Sequence, residues 1–417
     1  MPIRSVLRAF PPALWPFWLV IALLPFGRLA ELGTALCVGG CVFALSRDRH
    51  ALAAAPGARL FAWLLGAYVG AALLSAFAAV APARSWSTVA GLLRYLPLGL
   101  YACLVLRGPD RPALLYRAVA LVVACWVLDA WVQIASGYSL GGPAEAERIS
   151  GIFGAGNLKL GPSLAVLAPF ALWTARQWGG RAALLVAWLL LLGPILLAGV
   201  RSAWVIYALV TLAFAWREAG SPRRFLGLVL AAAALCALAG ALAWQGSPRF
   251  HARMERTLAV LQGDAGGVDQ ALTGRLDIWR AGLRMVALHP LTGVGVRGFR
   301  YAYPEVAPAG DHFLVAESCG VGEGACHAHQ LVLEVLSETG VLGLALWCAG
   351  VALACRAFRR ADAASRERAF PATVALGAML FPLNSHLAFY SAWWGLLFAW
   401  LLALWCAVLV QGADDAP

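Results

Sequence analysis

Charged residues are scarce in this chain of 417 residues: they make up 13%, whereas hydrophobic residues make up 62%. A soluble domain carries roughly 25% charged residues, so most of the chain cannot form a soluble globular fold. Apolar runs recur at about the 20-residue length that a helix needs to cross a bilayer. We therefore predict an all-α polytopic membrane protein. The net charge of +11 does not indicate nucleic-acid binding, because the cations lie in short loops between apolar runs.

Twelve apolar runs are predicted to span the membrane. They lie at about 13–27, 29–46, 60–81, 86–106, 113–137, 157–175, 182–199, 201–216, 224–245, 330–354, 369–390 and 392–411. Arginine-rich connections alternate with connections that carry little charge, which is the positive-inside pattern. The alternation predicts that both termini are cytoplasmic and that residues 138–156 and 246–329 face outward. The chain thus divides into nine spans (1–245), a large outer loop (246–329), and three spans with a short cytoplasmic tail (330–417).

The outer loop 246–329 concentrates the polar residues. It holds five of the seven histidines: His251, His289, His312, His327 and His329. Residues 248–261 predict an amphipathic helix, and Thr273 is a candidate cap for a second helix that runs from Gly274 to about Leu288. Arg275, Trp279 and Gly282 share one face of that second helix.

A glycine-rich turn is predicted from Gly293 to Arg300, with the sequence Gly-Val-Gly-Val-Arg-Gly-Phe-Arg. Its backbone amides and the guanidiniums of Arg297 and Arg300 are expected to cradle an anion. No strand precedes the turn, which excludes a Rossmann or P-loop element.

Arg94, Asp129 and Arg201 are charged residues that fall within apolar runs or at their ends. An ionised side chain there costs about 2.5 to 3.5 kcal/mol on insertion scales, so such residues are functional candidates. The plainer alternative for Arg94 and Asp129 is that they pair with each other. Arg201 follows Gly199-Val200 at the outer boundary, where snorkelling is the alternative and a phosphate contact is the preferred interpretation.

Two of the ten cysteines, Cys319 and Cys326, lie in a polar loop, and the others fall in apolar runs. The pair is a plausible disulfide if the loop faces an oxidising compartment. Cys326, His327 and His329 also suggest a metal site, but no second ligand cluster with zinc-site spacing accompanies them.

Histidines beside many outward-facing arginines suit transfer from a lipid-linked phosphate. Arginines neutralise an anionic leaving group, and a histidine removes a proton from an incoming hydroxyl. Metal-using enzymes of this type generally need acidic ligands, often as Asp-x-Asp, and the chain contains no such motif. We therefore expect a metal-free mechanism with no cofactor. Serine-based hydrolysis is a weaker alternative.

Several motifs in fixed order resemble the O-antigen ligase and polymerase superfamily. They are the Arg148-Ile-Ser-Gly-Ile-Phe-Gly element, Arg201-Ser202, Thr273-Gly-Arg275-x-x-Ile-Trp279, His289-Pro-Leu-Thr-Gly-Val-Gly295, His329-Gln-Leu-Val-Leu-Glu334 and Glu338-Thr-Gly-Val-Leu-Gly343. The resemblance covers roughly residues 140–395. One departure is Gln330, where the superfamily usually has asparagine after the catalytic histidine; both amides offer the same hydrogen bonds.

The resemblance implies a GT-C-like membrane glycosyltransferase with a helical periplasmic loop over a lateral, lipid-accessible cavity. The donor would be a glycan on undecaprenyl diphosphate, the acceptor lipid A-core, and the location the bacterial inner membrane. The implied catalytic residues are His329 as general base, with Arg275 and Arg201. The implied substrate-binding residues are Arg148, Asn157, Lys159, Arg297, Arg300, His327 and Gln330. His327 is also an alternative base.

Other members of the superfamily differ mainly in their acceptor. Polymerases elongate another lipid-linked repeat, and protein O-oligosaccharyltransferases modify serine and usually carry an additional C-terminal domain, which we do not expect here. A ligase is the preferred interpretation and a polymerase the alternative. A transporter or flippase would also explain twelve spans, but it needs no histidine-rich loop, and internal repeats are not visible.

Overall fold

The computed structural model describes residues 10–145, 148–246, 251, 254–255, 274–308, 310–382, 384 and 388–410. The predicted helix at 248–261 falls almost wholly outside these ranges, as does the candidate cap Thr273. The described chain is nearly all helical, which confirms the predicted fold class.

The helices in chain order are α1 (Trp15–Ala22), α2 (Ala30–Arg47), α3 (Pro56–Ala76), α4 (Pro82–Leu93), α5 (Tyr95–Val105), α6 (Arg111–Ser136), α7 (Leu160–Leu197), α8 (Arg201–Ala219), α9 (Pro222–Gly246), α10 (Arg275–Leu288), α11 (Phe299–Val306), α12 (His312–Val315), α13 (Leu331–Arg360), α14 (Ala363–Met379) and α15 (Ala392–Leu409). Short 3₁₀ turns occur at Pro12–Leu14, Leu24–Leu29 and Gly151–Phe153, and β1 (Tyr138–Ser139) pairs antiparallel with β2 (Gly142–Pro143).

Proline and glycine mark many helix ends. Pro56, Pro82 and Pro222 open α3, α4 and α9, where the missing N–H has no intrahelical partner in any case. Gly137 and Gly220 end α6 and α8 in the left-handed conformation, with φ of 81° and 64°. The sequence therefore indicates these boundaries locally.

Among the described residues, eight helical segments are long and apolar enough to span a membrane: Leu24–Arg47, Pro56–Ala76, Pro82–Val105, Arg111–Ser136, Leu160–Leu197, Pro222–Gly246, Leu331–Arg360 and Ala392–Leu409. The predicted runs 157–175 and 182–199 both lie in α7, which breaks at Gly179 and Gly180. The runs 13–27, 201–216 and 369–390 contain helices that fall outside these criteria. The chain is a multi-pass membrane protein.

Loops predicted to be cytoplasmic converge on one end of the bundle, which we call the basic-loop end. Arg176 and Arg181 both pair with Glu218, at 2.7 and 3.1 Å, and Arg217 pairs with Glu367. The opposite end carries residues 148–159, 293–300 and 327–330, and we call it the histidine end. All predicted site residues lie at the histidine end.

The core is built around α15, which is almost completely buried and packs on α3, α5 and α14. Helix α13 packs along α3. The outer loop has a small hydrophobic core of its own, which includes Ile278, Met285, Phe299, Tyr303 and Ala328. The loop is therefore a packed structure seated on the bundle, and it can hold side chains in fixed positions.

Candidate functional site

The two glycine-containing motifs at 289–295 and 338–343 contact each other. Helix α13 breaks at Gly340, which has φ of 65° and ψ of −170°. The break frees amides of the helix, and Val341 N–H donates to Pro290 O at 2.9 Å while Leu342 N–H donates to Leu291 O at 3.2 Å. Val294 N–H in turn donates to Ser337 O at 2.9 Å. Backbone hydrogen bonds thus join the outer loop to α13 at the break in the helix.

The predicted backbone cradle for an anion in the turn 293–300 is wrong, because the amides are used inside the protein. Val296 N–H donates to Ser75 Oγ at 3.0 Å, and Arg297 N–H donates to Glu338 Oε2 at 2.8 Å. Gly298 N–H donates to Gly295 O at 2.8 Å. A carboxylate of the protein occupies the position that an external anion would need. The guanidiniums of Arg297 and Arg300 remain as candidate contacts of this turn with a ligand.

Two fully buried glutamates lie one turn apart on α13. Glu338 accepts from the amides of the turn, and Glu334 Oε1 accepts from Phe389 N–H at 2.7 Å. Glu334 Oε2 and Glu338 Oε1 have no hydrogen-bond partner among the described residues, and neither has Arg297 Nη1. Buried acidic and basic side chains at one place indicate a functional centre, since a buried charge without a partner is costly.

A cavity of about 140 Å³ opens beside this centre, and arginines dominate its polar lining. Arg84, Arg94 and Arg297 line it together with Tyr95 and Tyr390. Arg94 is neutralised by Glu31, at 2.7 Å. Arg84 is exposed at the start of α4, and Arg297 is buried. The cavity therefore combines a net positive charge with guanidinium forks that fit phosphate oxygens.

Arg300 adds to the same positive region. Its Nη1 lies 3.6 Å from Glu323 Oε2, and its Nε has no partner among the described residues. Burial, followed by the nearby charges of Arg297 and Arg84, lowers the pKa of Arg300 from its usual value. Burial is the main cause of the lowered pKa, and the repulsion from Arg297 and Arg84 adds to it. An anion bound between them would relieve that repulsion.

His327 and His329 lie side by side, with ring centroids 3.8 Å apart. His329 has a positive φ of 52°, and Arg297 has φ of 60°. The only other non-glycine residue with positive φ in the described ranges is Glu317. Left-handed backbone at non-glycine residues is uncommon and clusters at functional sites. Two predicted site residues are thus held in sparsely populated conformations.

Helix α10 brings its predicted face against the histidine loop. Trp279 Nε1–H donates to Ala328 O at 3.1 Å, between the two histidines. Gly282, three residues further on, packs against Leu333 and Phe299. Arg275 lies one turn before Trp279 on the same face and opens the helix after Gly274. The sequence prediction that Arg275, Trp279 and Gly282 share a face is confirmed for Trp279 and Gly282 by these contacts.

Gln330 caps helix α13 with its side chain. Its Oε1 accepts from Leu333 N–H, and its Nε2 donates to Pro382 O at 3.1 Å. Both ends of the amide are therefore engaged in the structure. The predicted substrate contact of Gln330 stays a prediction, and in the structure its side chain fixes the start of α13 directly after His329.

Besides the arginine cavity and the histidine pair, a third group of predicted site residues lies at the junction of α7 and α8. Ile149 N–H donates to Leu197 O at 3.1 Å, and Gly161 packs against Ala198 and Ala203, which brings residues 148–161 to the start of α8. Arg201 opens α8 there. Lys159 and Arg148 belong to the same end of the bundle. The structure thus gathers the predicted Arg148, Lys159 and Arg201 around one junction.

Arg148, Asn157 and Lys159, which belong to this group, each make a different kind of contact. Arg148 Nε donates to Glu145 Oε2 at 2.6 Å, so its charge is neutralised locally. Asn157 stabilises its own turn: its side chain donates to Phe153 O and accepts from Lys159 N–H, both at 3.1 Å. Lys159 Nζ lies 5.1 Å from the centroid of the Trp393 ring. Arg148 and Asn157 thus make local contacts that shape this loop, and their predicted part in substrate binding stays a prediction.

The predicted alternative pairing of Arg94 with Asp129 is wrong. Arg94 makes a bidentate contact with Glu31, with Nε donating to Oε2 at 3.0 Å and Nη2 donating to Oε1 at 2.7 Å. Asp129 Oδ1 accepts from Leu140 N–H at 2.8 Å and so anchors the hairpin of β1 and β2. A carboxylate 63 residues from Arg94 in sequence is its partner, which local spacing could not indicate.

Cys319 and Cys326 form a disulfide, as predicted, with their Cα atoms 5.1 Å apart. The bond takes Cys326 out of the alternative metal site with His327 and His329. Within the described residues, no group of three or more His, Cys, Asp or Glu side chains could hold a metal ion. The disulfide closes the turn directly before the histidine pair and restrains it.

The pentapeptide Gly137-Tyr-Ser-Leu-Gly141 has the spacing of a serine nucleophile elbow. In the structure it forms part of the short β hairpin after α6, and Ser139 Oγ donates to Gly142 O at 3.1 Å. A nucleophile elbow needs a strand before the serine and a helix after it. A hairpin that follows a helix does not provide this geometry.

Residues before α15 and in its first turn contact all three groups. Pro382 contacts Gln330, the amide of Phe389 contacts Glu334, and Ala392 lines the arginine cavity. Trp393 meets Lys159. The fold and site together define a class: a multi-pass membrane protein with a structured loop that brings histidines and arginines to one end of the bundle.

Comparisons with known proteins agree with this class. Residues 185–348 match the family model described as O-Antigen ligase. This range contains Arg201, Arg275, Arg297, Arg300, His327, His329 and Gln330. A segment of 83 residues is 31% identical to the exopolysaccharide production protein ExoQ of Rhizobium meliloti (strain 1021). The matches confirm the predicted resemblance to the O-antigen ligase and polymerase superfamily.

The extent of the second match is limited. It covers 20% of this chain and 18% of ExoQ. Arg148, Asn157 and Lys159 lie outside the residues that match the family model.

Sequence reasoning missed Arg84 and the anchoring roles of Glu334 and Glu338. Arg84 could have been singled out from the sequence, because it directly precedes a span on the side predicted to face outward. The glutamates were visible as parts of motifs, but nothing local indicated that they would hold backbone amides of distant segments.

Proposed function

We propose that this protein is a membrane glycosyltransferase that moves an O-antigen glycan from undecaprenyl diphosphate to lipid A-core at the periplasmic face of the inner membrane. The family match over residues 185–348 carries the proposal. The convergence of histidines and guanidiniums at one end of the bundle supports it. This chemistry requires a proton acceptor beside a site for an anionic leaving group.

In the proposed reaction, a hydroxyl oxygen of the acceptor attacks the anomeric carbon of the donor glycan. The proton of that hydroxyl passes to the imidazole of His329, which accepts it as the neutral base. The bond between the anomeric carbon and the diphosphate oxygen breaks, and the electron pair leaves with undecaprenyl diphosphate. Arg201 and Arg275 neutralise that leaving group, and Arg297 and Arg300 contribute from the turn 293–300.

Some residues have a different role in this proposal from the one that the sequence implied. Arg84 joins the diphosphate-binding set, because it lines the same cavity as Arg297. Gln330 positions His329 through the helix cap. Arg148 and Asn157 shape the loop that presents Lys159 and Arg201. The mechanism assigned to these residues needs no cofactor.

A gel of lipopolysaccharide from a strain that lacks this gene tests the proposal. We expect the ladder of long glycans on lipid A-core to disappear while polymer accumulates on the carrier lipid. Complementation with the wild-type gene restores the ladder, and His329→Ala does not. A normal ladder in the deletion strain contradicts the proposal.

A polymerase of a surface polysaccharide is the second candidate, and the similarity to a protein of exopolysaccharide production favours it. In that case the acceptor is a second lipid-linked repeat and the same residues act. The deletion strain would then show a single repeat on the core. A polysaccharide transporter would instead retain its activity in His329→Ala, so the same variant separates that class from both enzymes.

A further inference from the structure

A second polar centre lies at the basic-loop end, far along the helices from the histidine end. A cavity of about 600 Å³ separates the second half of α7 from α8 and α9. Its walls are almost wholly apolar and include Leu184, Trp188, Phe214, Leu228, Ala231 and Leu235. We call this cavity the interhelical groove. Its size lies within the range of roughly 300 to 1,000 Å³ that is typical of ligand sites.

The groove exists because α9 packs loosely. None of the described residues of α9 is buried, and its contacts are mainly with α8. No atom lies within 4 Å of the position that a Cβ on Gly227 would occupy. An apolar space between helices in a bilayer is filled by hydrocarbon, since water there would leave its hydrogen bonds unmet.

The mouth of the groove is cationic. Arg181, Glu218 and Arg224 line it, and Arg181 and Glu218 also line an adjoining cavity of about 400 Å³. Glu218 is shared by Arg176 and Arg181, so one carboxylate faces two guanidiniums. Arg224 makes no ion pair with a carboxylate in the described part of the chain. The mouth therefore keeps a net positive charge after internal pairing.

We propose that the interhelical groove binds one anionic phospholipid of the leaflet at the basic-loop end. An acyl chain fills the apolar space between α7, α8 and α9, and the phosphate lies at the mouth with Arg224 and Arg181. Charge complementarity selects this occupant, because basic pockets between membrane helices bind anionic headgroups on the cytoplasmic side. The bound lipid holds α9 against α8. The proposal is independent of the glycosyl transfer proposed above.

The test measures lipid binding by native mass spectrometry of the purified full chain in detergent. Phosphatidylglycerol and phosphatidylcholine with the same acyl chains are the two probes. We expect preferential retention of one phosphatidylglycerol. Arg224→Gln removes a charge at the mouth, and Gly227→Leu fills the apolar space without a clash. Each is expected to reduce phosphatidylglycerol binding at least fivefold at equal lipid concentration.

Arg356→Gln is the matched control, because Arg356 is exposed at the same end of the bundle and lines neither cavity. It should bind phosphatidylglycerol like the wild type. The unfolding temperature of each variant without lipid is measured in parallel, so that a folding defect is visible. Equal binding of both lipids by the wild type overturns the proposal. Wild-type binding by both folded variants, Arg224→Gln and Gly227→Leu, does so as well.

Discussion

His329 and Arg297 are both held in left-handed backbone conformations where the outer loop packs on α13. We call the contact of residues 290–297 with α13 around Gly340 the seam. Arg297 N–H bonds to Glu338 in that helix, and His329 directly precedes the cap residue Gln330. Each conformation disfavours a side chain with a Cβ, so the surrounding contacts must enforce it. In the proposed mechanism His329 is the base and Arg297 binds the leaving group, so fixing both backbones would pre-organise the site for transfer.

The role of His329 can be separated from that of its neighbour. His329→Ala is expected to lower the transfer rate on the order of 10²- to 10⁴-fold, because a general base contributes about that much. His327→Ala should retain more activity, since we assign it to substrate binding. Transfer is measured with purified variants, each checked for expression and folding. His312→Ala, an exposed histidine of the same loop, is the control.

The reverse ranking would overturn the assignment. If His329→Ala retains substantial transfer and His327→Ala is inactive, His327 is the base and His329 only begins the helix.

Substitution of arginine by lysine tests the guanidinium geometry of the proposed diphosphate site. Arg297→Lys and Arg275→Lys keep the charge but cannot reproduce the two-pronged contact with phosphate oxygens. We expect each to lose roughly 10²-fold in rate, comparable with the loss of one donor to a developing charge. Arg280→Lys is the control, because Arg280 pairs with Asp277 on an exposed face of α10. Near wild-type transfer by Arg297→Lys and Arg275→Lys would remove these residues from the site.

At the scale of elements, the break in α13 at Gly340 organises the site. The chain from Pro290 to Val294 fills the break, and Gly293 lies where a Cβ would come within 2.5 Å of the carbonyl carbon of Glu338. Gly293 also has φ of 67°. Larger residues are excluded there by both space and backbone conformation.

Gly293→Ala should therefore destabilise the seam between loop and helix. Left-handed backbone costs an alanine about 1 to 2 kcal/mol, and overpacking adds about 1 to 3 kcal/mol. Gly322→Ala isolates the first contribution, because Gly322 has φ of 72° with no atom within 4 Å of the added Cβ. Unfolding temperature and protease cleavage of the outer loop report both variants. Equal stability of the two would show that the seam is not tightly packed.

The disulfide restrains the element that carries the histidines. Free-thiol quantification of non-reduced, purified protein should find Cys319 and Cys326 protected. Replacing both by serine should destabilise the loop by about 2 kcal/mol, the lower end for a bridge because the closed loop is short. Two alkylatable thiols that map to these positions would contradict the structure.

Sequence alone predicted the all-helical membrane fold and the disulfide, although not the number of long spanning helices, because hydrophobicity, proline, glycine and cysteine act locally. The sequence could not predict which distant groups form ion pairs and hydrogen bonds with each other. Arg94 meets Glu31 instead of Asp129, and the amides of the turn 293–300 meet Glu338 instead of a ligand. The two contacts join residues 63 and 41 positions apart in sequence, so only the packed bundle decides them.

At the scale of the whole molecule, polar chemistry is segregated to the two ends of an apolar bundle. The histidine end gathers the residues that we propose to act in transfer, and the basic-loop end carries paired arginines and the interhelical groove. This polarity matches the positive-inside expectation, with the proposed chemistry on the outer side. A lipid-linked donor and a lipid-linked acceptor can then meet at one membrane surface.

Transfer by the purified protein tests the central claim most directly. The assay combines an O-antigen glycan on undecaprenyl diphosphate with lipid A-core in detergent that contains a strong chelator of divalent cations. We predict glycosylated lipid A-core together with released undecaprenyl diphosphate, undiminished by the chelator and abolished in His329→Ala. Absence of product from folded wild-type protein, or product that forms equally well with His329→Ala, would contradict the account.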